Sequence, residues 1–174
     1  DQLAAALRDH NTPLIFLDAC QSAAAKDEPT ASVAGRLLAG GVASVMTSHV
    51  AYPTLDSSRV PATLSREILQ WLLRQQLKFD NLIVGDTMTL TAVLEGRTVA
   101  ETVVLAVRGG CDVVLAPGDL EEALTALERA YDDGTLEPER VKHSVRRRLK
   151  WAQWASPPND CDRVGEAGDR QGLI

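Results

Sequence analysis

The chain has 174 residues, 45% hydrophobic and 4% aromatic, with a net charge of −6 and a pI near 5.0. That length supports one domain with a real core, burying roughly 70% of its extended surface. The acidic balance argues against non-specific nucleic-acid binding, which requires a basic face, and no apolar run approaches the roughly 20 residues of a membrane span.

The opening Asp1-Gln2-Leu3 carries no initiator Met and no signal-peptide pattern, so the chain reads as an excised piece or a processed product of unknown localisation. Cys20, Cys111 and Cys161 are too scattered for a metal motif or a disulfide framework, and His10, His49 and His143 form no cluster. No metal or cofactor is expected. The bland reading of the cysteines is two buried thiols and one in the tail.

In chain order, Asp1 to His10 reads as the end of a helix, broken at Asn11-Thr12-Pro13. Leu14 to Leu17 is a short strand, and Ser32 to Ala39 a helix closed by Gly40-Gly41. Val42 to Met46 is the second strand, followed by a loop from Thr47 to Pro61. Ser65 is placed to cap a helix whose stripe is Ile68, Leu69, Leu72, Leu73 and Leu77. Leu82 to Val84 is the third strand, ending in Gly85 and then Asp86. Met88 to Leu94 predicts a short turn or helix, Thr98 to Arg108 a helix ended by Gly109-Gly110, and Asp112 to Ala116 the fourth strand. Asp119 begins a further helix through Ala130, and Pro138 opens the last. The basic run Arg146-Arg147-Arg148 reads as a solvated helix end rather than a phosphate site. From Ser156 onward the composition predicts a disordered tail.

The fold class is therefore α/β, with about four parallel βα units: half of a TIM-like barrel or a small open αβα sheet. An incomplete barrel leaves two sheet edges and an apolar helix face uncovered. In parallel sheets ligands bind at the carboxyl ends of the strands, where Asp86 falls. The competing reading makes Asp86 a cap or an Asx-turn acid for the next segment.

The blocks Val45-Met46-Thr47-Ser48-His49-Val50-Ala51-Tyr52-Pro53, Pro61-Ala62-Thr63-Leu64-Ser65, Phe79-Asp80-Asn81-Leu82-Ile83-Val84-Gly85-Asp86-Thr87-Met88 and Ala106 to Pro117 resemble the carboxyl-terminal half of the catalytic barrel of family 3 glycoside hydrolases, β-N-acetylhexosaminidase branch. The resemblance covers about residues 38–151. It implies retaining hydrolysis of β-N-acetylglucosaminides with Asp86 as nucleophile, since a glycosyl-enzyme needs an ionised carboxylate under the anomeric carbon. It also places His49 and Met88 beside the sugar, although His49 reads equally as a packed histidine. A carbohydrate is the implied partner, with no nucleic acid and no membrane, in the bacterial cytoplasm or cell envelope. Departures are Gly85, where the family has a small or hydroxyl residue, and Asn81, where Gly is common. The Lys-His substrate loop and the His-Asp acid/base loop have no counterpart in the sequence. General acid–base help is typically worth 10²–10⁴-fold, so the chain alone is expected to turn over weakly unless a homo-oligomer completes the barrel.

Pro13-Leu14-Ile15-Phe16-Leu17-Asp18-Ala19-Cys20-Gln21-Ser22 and the stretch from Ala31 to Val45 resemble a CHAT domain, a caspase-like fold, with Cys20 as nucleophile. The expected organisation is a CHAT-like segment at 1–45, a family 3-like half-barrel at 46–155 and a tail at 156–174, a chimera of two half-domains. A CHAT-type cysteine peptidase and a non-catalytic scaffold stand as rival functions.

Overall fold

A computed structural model describes residues 41–155. The predicted strand at Leu14–Leu17, the helix at Ser32–Ala39, Cys20 and the 156–174 tail lie outside the described residues.

Strands β1 (Ser44–Met46), β2 (Leu82–Thr87) and β3 (Val113–Leu115) form a parallel sheet in the order β1-β2-β3. The helices are α1 (Glu67–Gln76), α2 (Thr91–Leu94), α3 (Val99–Gly109), α4 (Leu120–Asp132) and α5 (Pro138–Ala155), with a short 3-10 turn at Ala62–Leu64 before α1. Each predicted element between 41 and 155 forms. Consecutive strands are neighbours, which is the order a barrel or a singly wound sheet requires.

Sequence chemistry explains the boundaries. Ser65 Oγ accepts from Ile68 N at 3.1 Å and starts the helical segment. Thr98 and Glu101 make a reciprocal capping box at the head of α3. Asp119 accepts from Glu122 N at the head of α4. Gly110, at φ 146°, ends α3 in a conformation that disfavours a side chain. Helix α1 departs from the 3.6-residue expectation: it is wound as a π-helix, with Leu77 N donating to Leu72 O.

The sheet has two unlike faces. Ile83 and Gly85 are buried, and Val45 and Val114 pack with them against Leu64, Leu69, Val103 and Ala106. This is the core, lying between the sheet and the helices. Alternation turns Ser44, Met46, Leu82, Val84, Val113 and Leu115 the other way. Met46 is 54% and Leu115 38% exposed.

Candidate functional site

The carboxyl end of β2 departs from a regular strand. Gly85 pairs with Val114 and Thr87 with Leu115, so two steps along β2 answer one step along β3. Asp86 is the extra residue, without a ladder partner. A bulge of this kind breaks the alternation and re-aims the side chain at a strand end. Asp86 is half-buried, and its Oδ1 accepts from Thr87 N at 2.7 Å. The strand was expected to stop at Val84; pairing with β3 carries it through Thr87.

Gly85 is needed beneath this bulge. A Cβ there would meet Met88 Cε at 2.9 Å, Thr63 Cγ2 at 3.2 Å and Cys111 Sγ at 3.3 Å. Met88, expected beside the sugar, has no exposed surface and packs in the core. Its thioether supports the bulge from below.

The loop after β1 comes to the same end of the sheet. Thr47 N donates to Val84 O at 2.8 Å, and Thr47 Oγ1 shares a 2.9 Å hydrogen bond with Thr63 Oγ1. His49 Nε2 lies 2.9 Å from Thr87 O. A carbonyl only accepts, so Nε2 carries a proton, which makes Nδ1 the bare nitrogen whenever the ring is neutral. That Nδ1 is buried without a hydrogen-bond partner. The structure thus brings His49 to the residue after Asp86, as packed histidine and neighbour of the candidate nucleophile at once.

The opposite end of the sheet holds a carboxylate that sequence reading missed. Asp112, just before β3, has a fully buried side chain. It accepts from Arg74 Nη2 (2.5 Å), Ile83 N (3.0 Å), Arg140 Nη1 (3.2 Å), Ser144 Oγ (2.6 Å) and Arg147 Nη1 (3.3 Å). Burial opposes its charge, but the Ser144 hydroxyl, the Ile83 amide and the Arg74 and Arg140 guanidinia outweigh that and hold its carboxyl below the ordinary value. The basic run on α5 is therefore only partly a solvated end: Arg147 reaches inward to Asp80 and Asp112, while Arg146 and Arg148 are exposed. Arg140, Ser144 and Arg147 follow helical spacing, and that stripe was the missed signal.

Among the described residues, two clefts lie between helices. One, of about 230 Å³, is lined by Arg66, Gln70, Arg108 and Arg140 among others. The other, of about 410 Å³, is lined by Arg74, Lys78, Arg140 and Arg147 among others. Neither includes Asp86 or His49. Cys111 is fully buried, and burial pushes its thiol up to about 12, the chemistry of an inert packed cysteine. Among the described residues no group of His, Cys, Asp and Glu is placed to hold a metal ion, and no helix is long and apolar enough to cross a membrane.

A parallel βα sheet with its strands in sequence order is the architecture of part of an α/β barrel. The chain matches the glycosyl hydrolase family 3 N terminal domain over residues 32–150 and belongs to that family. A beta-hexosaminidase of Hydrogenovibrio crunogenus is 31% identical over 147 residues, covering 80% of this chain and 41% of that protein. A beta-hexosaminidase of Pseudomonas aeruginosa is 38% identical over 95 residues, 53% of this chain and 28% of that protein. Among solved structures, a glycoside hydrolase family 3 beta-N-acetylglucosaminidase from Paenibacillus sp. superposes with a TM-score of 0.65 at 33% identity, over 80% of this chain and 26% of that one. The beta-N-acetylglucosaminidase from Thermotoga maritima gives 0.61 at 32% identity, over 67% of this chain and 26% of that one. The chain thus spans less than half the length of these relatives. The family match begins at residue 32, inside the segment that the CHAT resemblance claimed, and lends that chimera no support.

Proposed function

We propose that this chain supplies the nucleophile half of a retaining β-N-acetylglucosaminidase site, with Asp86 attacking the anomeric carbon. One observation carries the reading: Asp86 is the bulged, ladder-free residue at the carboxyl end of the central strand, inside the stretch matched to the family. The substrate class follows from the names of the relatives, which are hexosaminidases and N-acetylglucosaminidases. His49 reaches the same strand end through its bond to Thr87 O. The residues at 46–155 form the glycosidase unit. Its sheet, with Met46 and Leu115 exposed, joins the complementary half of a barrel, from the rest of a longer protein or from a second copy.

No residue of this chain is assigned as proton donor, and that shapes the test. An aryl β-N-acetylglucosaminide with a strongly acidic phenol leaves without protonation, so it reports on the nucleophile alone. Wild-type protein should release the phenol, and Asp86→Ala should be slower by about 10³-fold or more. Equal rates in the two proteins reject Asp86.

A further inference from the structure

The loop from Thr47 to Ser65 is closed by bonds at several levels. Residues 48–50 run antiparallel to 61–63: Thr63 N and Oγ1 donate to Ser48 O (3.2 and 3.0 Å), Ala62 N donates to Val50 O (2.9 Å), and Ala51 bridges Pro61. His49 sits between the anchored carbonyls of Ser48 and Val50. Beyond the bridge Tyr52 and Val60 pack against the core, Leu55 at the tip is exposed, and the buried Asp56 side chain gathers the tip by hydrogen bonds. Asp56 Oδ1 accepts from Ser58 N (2.9 Å) and Ser58 Oγ (2.5 Å), and Oδ2 accepts from Ser65 Oγ (2.5 Å). Ser65 is the residue that starts the α1 segment. Asp56 therefore ties the loop tip to the base of a helix rooted in the core.

We infer that Asp56 is a positioning residue: its carboxylate latches the Thr47–Ser65 loop so that His49 is held against the end of β2, beside Asp86. The link to chemistry rests on the proposed role of Asp86; the link from Asp56 to His49 does not. The Ser58 and Ser65 hydroxyls hold the Asp56 carboxyl below the ordinary carboxylate range, so the latch is charged and closed at neutral pH. Charge-assisted bonds of this kind are roughly twice as strong as neutral ones. An unlatched loop loses them at one stroke, because all converge on one side chain.

The test is an imidazole ¹⁵N spectrum of the full chain at pH 8, with His49 assigned through His49→Gln. In wild type, His49 should show a single tautomer protonated at Nε2. In Asp56→Ala it should move to the averaged values of a free imidazole, while His143 stays unchanged, and Asp56→Asn, which keeps an acceptor for Ser58, should restore most of the wild-type signature. If Asp56→Ala does not fold, Ser58→Ala and Ser65→Ala each remove part of the latch and should shift His49 in the same direction. An unmoved His49 signature in folded Asp56→Ala or, where that variant does not fold, in both serine variants overturns the inference. A second arm follows aryl N-acetylglucosaminide turnover, which should fall about tenfold in Asp56→Ala. If wild type shows no turnover, the Asp86 reading fails and the spectrum still decides the latch.

Discussion

The two ends of the sheet present the same functional group in opposite states. At the amino end, Asp112 is fully enclosed and receives five donors, from α1, β2 and α5. At the carboxyl end, Asp86 is half-buried, out of the strand ladder, and accepts from its own neighbour, Thr87 N. A carboxylate whose lone pairs are all engaged can only hold structure. One left with acceptor capacity at a strand mouth is free to engage a ligand. The difference lies in surroundings rather than residue type: α5 closes over one end, whereas a bulge and two loops frame the other.

The contrast breaks most directly at Asp112. Asp112→Ala leaves three guanidinia around an uncompensated cavity, and losing one partner of a buried ion cluster typically costs 3–5 kcal/mol. Denaturant unfolding should show a loss of that order. Acid should act in the same direction. The folded Asp112 carboxyl sits below its unfolded value of about 3.9, so its contribution is complete above that pH and is lost as pH falls through the depressed folded value. Unfolding followed against pH should therefore steepen below about pH 4, and Asp112→Asn should flatten that limb. A smaller effect separates local from global stabilisation: Thr98→Ala removes the α3 cap and should cost about 1 kcal/mol. The smallest effect sharpens the comparison best. Asp86→Ala should change stability by no more than about 0.5 kcal/mol while abolishing turnover. A destabilisation matching that of Asp112→Ala would place Asp86 among the structural acids.

Much of this frame is legible in the residues. Apolar runs at Val42–Met46, Leu82–Val84 and Asp112–Ala116 mark the strands, and Thr98, Asp119 and Ser65 sit where helix starts need them. These are local signals with local causes. What escaped was non-local. The bulge at Asp86 follows from β3 pairing past Val84, and no pattern within β2 announces it. Asp56 reads as loop until its partner Ser65, nine positions on, is seen beside it. Asn81, which departs from the family's usual glycine, bridges Val42 O and Lys150 Nζ, contacts assembled only once the chain has folded. Met88 carried a family expectation of ligand contact, yet the space under Gly85 draws it into the core.

Sheet order has a practical reach. Because β1, β2 and β3 lie side by side in sequence order, growth at either edge requires no strand to thread between two already paired. Pairing with a complementary polypeptide along its margins would leave that order intact. Mixing experiments with the other portion of a family 3 barrel can therefore ask whether two separately made pieces rebuild one working cup.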